Sequence, residues 1–117
     1  MEPGLIKLNL ATNADLHDLQ PVIDDAAAPV DMTGWPFKLQ LKGDENAAVV
    51  ALDVTVTVNG AGVLLFVAAK ETIAQLLPAP KKIRKLVGDL LTKPGNGAYV
   101  ARLAEVEATL VRGSSTL

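Results

Sequence analysis

The side chains that could carry out chemistry in this chain are few and scattered. His17 is the single histidine, it stands between Leu16 and Asp18, and the chain has no cysteine. A zinc site needs several His, Cys or carboxylate ligands at workable spacing, and a disulfide or thiolate nucleophile needs a thiol. We therefore interpret His17 as a surface residue and predict no metal site.

Two serines and two glutamates are of residue types that can act in catalysis, but their neighbours in the sequence do not support a catalytic role. Ser114 and Ser115 lie in a terminal segment with no base nearby in sequence, and a serine nucleophile needs such a base. Glu105 and Glu107 could pair for acid–base chemistry, but they alternate with apolar residues, so we interpret them as the solvated face of a strand. The sequence predicts no catalytic residue, and the protein is expected not to be an enzyme.

Acidic pairs and glycine pairs could indicate calcium or phosphate sites. The acidic pairs at 24–25 and 44–45 lack the regular ligand spacing with a central glycine of a calcium loop. The glycines at 60, 62, 95 and 97 do not form a phosphate-binding pattern between a strand and a helix. We predict turn residues at all of these positions, and no cofactor.

The last two candidate functional features of the sequence are a local run of positive charges and the tryptophan. Lys81, Lys82, Arg84 and Lys85 form the run; a solvated face is the simpler interpretation, and a docking patch for an acidic partner is the alternative. Trp35 stands at the start of an alternating segment and is interpreted as a lid on the core rather than as an exposed ligand platform.

Composition excludes several classes of function. The net charge is -2 and 50% of the residues are apolar, which argues against a protein that binds nucleic acid or an acidic membrane through a basic surface. No apolar run approaches the length of a membrane span. The first residues lack the basic and apolar regions of a signal peptide, so we expect a protein made in a cytosol, or assembled there into something larger.

Alternating apolar and polar residues predict antiparallel strands along most of the chain. In the clearest one, Phe37, Leu39 and Leu41 face inward and Lys38, Gln40 and Lys42 outward. Asn59-Gly60 predicts a two-residue type I′ hairpin, and a short helical turn is expected at 70–77. Further strands are predicted at 5–10, 16–23 (an edge strand, because of Pro21), 48–58, 63–68, 98–103 and 104–112. We expect a single domain over 1–117.

The segment 83–92 carries conflicting signals. Ile83, Leu86, Leu90 and Leu91 fit one face of a helix, and Pro94-Gly95 would end it. Gly88 in the middle, and cations at the end where the helix dipole disfavours them, argue for a strand. The residues alone leave both structures open.

The order of features resembles small β-sandwich proteins encoded among phage and prophage structural genes. Pro29-Val30-Asp31-Met32-Thr33-Gly34 is similar to their "x-P-V-D-L-T-G" turn, and it precedes a Val-rich hairpin. An "A-x-E-T-x-x-L" helical turn, a "G-D-L" strand, a Pro/Gly turn and a "V-x-x-G-x-T" ending follow. These match positions 69–76, 88–90, 94–95 and 111–116. Met32 replaces the usual Leu, and the loop at 78–80 with its basic run is unusual.

The resemblance covers about residues 15–117 and implies a fold and a role. The fold would be an all-β, antiparallel Ig-like or jelly-roll-like sandwich of seven or eight strands with one short helical turn, and 83–92 would be a strand. The role would be a structural subunit of a bacteriophage virion, in the tail, baseplate or neck, in contact with other phage structural proteins in symmetric copies. A capsid decoration protein is the alternative within that class, and a cellular binding or adhesion module is the alternative from another class.

Overall fold

Seven strands and one short helix make up the described part of the chain. The computed structural model describes residues 4–22, 29–43, 50–60, 62–77 and 82–113. The strands are β1 Gly4–Ala11, β2 Leu16–Pro21, β3 Phe37–Leu41, β4 Leu52–Val58, β5 Val63–Ala68, β6 Ile83–Thr92 and β7 Ala101–Val111. Helix α1 is Lys70–Ala74, between β5 and β6, and a 3-10 turn, Pro94–Asn96, joins β6 to β7. The all-β prediction and the short helix are confirmed.

The strands form one mixed sheet in the order β1-β7-β6-β3-β4-β5-β2. All neighbouring strands are antiparallel except β1 and β7, which run parallel with Gly4 opposite Ala104 and Ala11 opposite Val111. β4 pairs with β3 through residues 52–54 and with β5 through residues 55–58. β4 therefore links the part of the sheet formed by β1, β7, β6 and β3 to the part formed by β5 and β2.

The sheet is strongly curled. β1 and β2 lie at opposite ends of the strand order, yet only residues 12–15 connect them. A flat sheet of this strand number would be about 29 Å wide, at roughly 4.8 Å per strand spacing. The five steps from Ala11 to Leu16 can span at most about 18 Å. The two edges must therefore come together, which makes the sheet nearly a barrel.

The predicted antiparallel sandwich is wrong. An antiparallel sandwich would pair its strands antiparallel throughout, whereas the described strands form one curled sheet in continuous order that contains the parallel pair of β1 and β7. The physical reason lies in strand pairing. The first strand joins the sheet beside the last one, about a hundred residues away, and no local pattern carries that information.

One face of each strand fills the interior. The alternation predicted for β1, β3 and β4 is confirmed: Leu8 and Leu10, Leu39 and Leu41, and the series 52, 54 and 56 are buried. Trp35 and Phe37 are partly buried and pack against this core. The largest fully buried side chains are Leu8, Leu10, Met32, Leu39, Leu41, Leu64, Phe66, Ile73, Leu77, Leu86, Leu90 and Leu110.

Residues 83–92 are a strand, as the resemblance implies, and Gly88 explains why a glycine sits in it. A Cβ on Gly88 would lie 2.4 Å from the carbonyl oxygen of Gln40 and 3.1 Å from the Leu41 side chain. β3 and β6 thus approach each other too closely for a side chain at this position. Gly88 would weaken a helix, but the close approach of β3 and β6 requires a glycine at this position.

Two local predictions need correction. Asn59 donates its backbone N–H to the Val63 carbonyl at 2.8 Å, so the hairpin connection spans positions 60–62 and is three residues long, not two. Gly60 has a positive φ of 82°, as expected of a turn glycine. The two strands predicted at 98–103 and 104–112 are one strand, β7, with an irregular register at Leu90/Leu91 of its partner β6.

Helix α1 is held at both ends by side chains from distant elements. The Asp15 carboxylate accepts the Lys70 backbone N–H at 2.7 Å, which satisfies one of the free N–H groups of the first turn. Arg84 donates to the Leu76 carbonyl at 3.0 Å and Arg112 to the Leu77 carbonyl at 2.7 Å. The helix is thereby fixed against the sheet, with Ile73 buried.

Candidate docking surfaces on the outer face of the sheet

The residues with catalytic or ligating potential do not come together. His17 is exposed on β2, opposite Val67 of β5. Glu105 and Glu107 are exposed on β7, and Lys7 of β1 lies opposite Glu107. Within the described ranges, no group of three His, Cys, Asp or Glu side chains could hold a metal ion.

Several candidates lie outside the described residues. They are Ser114 and Ser115, the acidic pairs at 24–25 and 44–45, and Lys81. Of the turn glycines, Gly62 and Gly95 have positive φ angles of 69° and 64°, in agreement with the turn interpretation.

Two cations of the charge run, Arg84 and Lys85, lie on opposite faces of β6. Arg84 points toward the end of α1, where its guanidinium donates to the Leu76 carbonyl. Lys85 is exposed on the opposite, outer face. Arg84 and Lys85 therefore do not belong to one patch, and Lys85 joins a different set of cations.

The turn that opens β3 is organised by Asp31. Its carboxylate accepts the Thr33 hydroxyl at 2.7 Å and the Thr33 backbone N–H at 3.1 Å. These bonds favour the ionised form and lower the pKa of Asp31. Trp35 donates its backbone N–H to the Met32 carbonyl at 3.0 Å, and Met32 is buried. The turn found by sequence resemblance thus inserts Met32 into the core, which is a structural role.

An apolar strip, which we call the β2–β5 band, covers one outer region of the sheet. It consists of Leu19, Pro21, Val63, Leu65 and Val67. Leu19 lies opposite Leu65, and Pro21 opposite Val63. Leu19 is 48% exposed, and the three β5 residues are half-buried. Because alternate residues of β5 face the core, this strand is apolar on both of its faces.

The β2–β5 band ends at an edge of the sheet. Among the described strands, β2 pairs only with β5. Proline at the end of an edge strand agrees with the prediction from Pro21. Asp18 and Gln20 are partly buried on the inner face and hydrogen-bonded to each other at 2.6 Å. Inward-pointing polar groups of this kind are a common feature of edge strands.

A second surface, which we call the β6 groove, lies on the outer face of β3, β6 and β7. It is a hollow of about 530 Å³. Its charged lining residues are Lys38, Lys42, Lys85, Arg102, Asp89 and Glu105.

The charges in the β6 groove are unevenly distributed. Arg102 pairs with Asp89 at 3.4 Å, while Asp89 lies opposite Glu105 in the strand register. Lys42 pairs with Val87, so Lys85, two positions along the same face, is its diagonal neighbour at about 7–8 Å. Lys38 and Arg102 lie on either side of Leu91. Both ends of the groove therefore carry cations, and its middle contains carboxylates.

Comparison of the chain with protein-family models and with curated protein sequences gives no match. In the described part of the chain, no helix has the length and apolar character needed to cross a membrane. Arguments about function therefore rest on the residues and surfaces themselves.

The sequence predicted neither surface, although it predicted the outer face for part of the β6 groove. Lys38 and Lys42 were predicted to point outward, but their proximity to Lys85 depends on the pairing of β3 with β6. The β2–β5 band did leave a signal. The run Val63–Ala68 is apolar without alternation, which is typical of a strand covered on both faces.

Proposed function

We propose that the protein is a non-enzymatic structural subunit of a bacteriophage particle, in its tail, baseplate or neck. It would be held in symmetric multiple copies by contacts with other phage structural proteins, and assembled in the host cytoplasm. Two supports are independent of each other: the order of sequence features between positions 29 and 116, and the exposure of the β2–β5 band. The curled mixed sheet departs from the sandwich that the resemblance implies, so we draw no support from the fold.

The β2–β5 band is the observation that carries the proposal. Small domains rarely leave contiguous apolar surface exposed unless a partner covers it. Here Leu19 and Leu65 lie side by side on the outer face. A neighbouring subunit would cover these side chains.

Incorporation into particles tests the proposal. Particles released by cells that carry the gene are purified, and the protein is quantified in them by mass spectrometry, with Leu19→Asp and Asn9→Asp variants alongside. Each variant adds one negative charge to an exposed outer position, on β2 and β1 respectively. We expect many copies of the wild-type protein and of Asn9→Asp per particle, and strong depletion of Leu19→Asp.

Two alternatives give different results in the same experiment. A capsid decoration protein would be found on tailless heads, whereas a tail, baseplate or neck protein would be absent from them. A cellular binding or adhesion module would be absent from all particles and would instead be recovered with a cellular ligand. Absence of the wild-type protein from purified particles would contradict the proposal.

A further inference from the structure

We propose that the β6 groove binds an extended segment of an acidic polypeptide. Lys38, Lys42 and Lys85 line this groove, and within the described ranges none of them has an ion-pair partner; Arg102 with Asp89 is the ion pair found there. Three uncompensated cations on one concave face are complementary to carboxylates. The groove would serve this role whether or not the protein belongs to a phage particle, because it lies on different strands from the β2–β5 band.

The spacing of the lysines matches an extended chain. Lys38 lies in β3 and Lys42 directly follows this strand; a separation of four residues corresponds to about 14 Å along an extended chain. A bound strand with acidic side chains at positions i and i+4 would place one carboxylate at each end of the groove. Lys85, the diagonal neighbour of Lys42 through the pairing of Lys42 with Val87, would add positive charge at that end.

The remaining lining favours a peptide over nucleic acid. Asp89 and Glu105 lie opposite each other in the middle of the groove. They would repel the evenly spaced phosphates of a nucleic acid, but not a peptide whose negative charges lie only at positions i and i+4. The backbone N–H groups and apolar side chains of a peptide suit the same surface. Glu105 can accept N–H groups, and Val87 and Leu91, both half-buried in the lining, can contact an apolar side chain at position i+2.

The volume of the groove is large enough for a short peptide segment. About 530 Å³ falls within the range of roughly 300–1,000 Å³ found for ligand sites. A segment of five residues, with acidic side chains at its two ends and an apolar side chain at the third position, fits both this volume and the spacing of about 14 Å between Lys38 and Lys42.

Fluorescence anisotropy tests the inference with a labelled peptide Glu-Ser-Val-Ser-Glu, which presents glutamates at positions i and i+4 and valine at i+2 on one face of an extended chain. We expect saturable binding that weakens as salt rises, because screening reduces the attraction between exposed charges. The double variant Lys42→Gln/Lys85→Gln should bind at least tenfold more weakly. The matched control is Lys7→Gln/Lys70→Gln, which removes the same charge from exposed positions outside the groove and should bind like the wild-type protein.

Three results would overturn the inference. They are equal weakening in the two double variants, equal affinity for a peptide with glutamine in place of glutamate, and tighter binding of a single-stranded oligonucleotide of the same charge. Failure of the wild-type protein to bind the Glu-Ser-Val-Ser-Glu peptide at millimolar concentration would do the same. Thermal melts of both double variants confirm that they are folded, so that loss of binding reports on the groove.

Discussion

Replacing Gly88 by alanine tests the close approach of β3 and β6. The new Cβ would lie 2.4 Å from the Gln40 carbonyl oxygen and 3.2 Å from its carbonyl carbon. The backbone of β3 would therefore have to retreat by about 1 Å to restore an ordinary contact, and β3 is paired with β4 on its other side. Overpacking of this kind costs about 1–3 kcal/mol, while replacing a strand glycine recovers roughly 0.5–1 kcal/mol.

The net expectation is a loss of about 1–2 kcal/mol in the free energy of unfolding, or a fall in Tm of roughly 4–8 °C for a domain of this size. Urea denaturation followed by the fluorescence of Trp35 measures it. Gly4→Ala is the matched control, because it is also a strand glycine but has no atom within 4 Å of the added Cβ. Its stability should equal that of wild type or exceed it by up to about 1 kcal/mol, the gain from replacing a strand glycine. Equal stability of Gly88→Ala and Gly4→Ala would refute the close approach.

Three further perturbations address the core, a turn and pH. Leu39→Ala should lower the free energy of unfolding by about 2–4 kcal/mol, because Leu39 is fully buried. Lys38→Ala, on the outer face, should change it by no more than about 0.5 kcal/mol. Equal losses for the two variants in urea denaturation would mean that the predicted register is wrong. Gly60→Val should cost about 1–2 kcal/mol, since the φ of 82° disfavours a residue with a Cβ, and an unchanged thermal melt would contradict this. The pKa of Asp31 is lowered from 3.8 by its bonds to Thr33, so the stability from its ionised form is present above that value and is lost as pH falls through the lowered pKa. The difference in stability between wild type and Asp31→Asn should therefore shrink in acid, and a difference that stays constant down to pH 2 would count against the interaction.

Local patterns predicted the elements well because burial on one face of a strand leaves a period of two in the sequence. The alternation of Leu39 and Leu41 with Gln40 identified both the strand and its inner face. β6 was ambiguous because its apolar residues fit two periods, and Gly88 makes sense only when the neighbouring strand is present. Propensity disfavours a glycine in either structure, so tertiary contact decided the outcome.

The pairing of strands and the composition of the surfaces could not be predicted in this way. The parallel pairing of β1 with β7 joins residues about a hundred positions apart, and it determines whether the strands form a sandwich or a curled sheet. The β6 groove has the same origin, since Lys42 and Lys85 become neighbours only through the pairing of β3 with β6. Arg84 was grouped with its sequence neighbours, yet it lies on the face of β6 opposite to Lys85 and donates to the Leu76 carbonyl just beyond α1.

The most direct test of the proposed role is a cryo-electron microscopy reconstruction of the purified particle at a resolution that shows side chains. We predict multiple symmetric copies of this chain in the tail, baseplate or neck, with Leu19 and Leu65 of the β2–β5 band buried against a neighbouring subunit. A reconstruction in which the chain has no density, or in which it is present with the band facing solvent, would contradict the account.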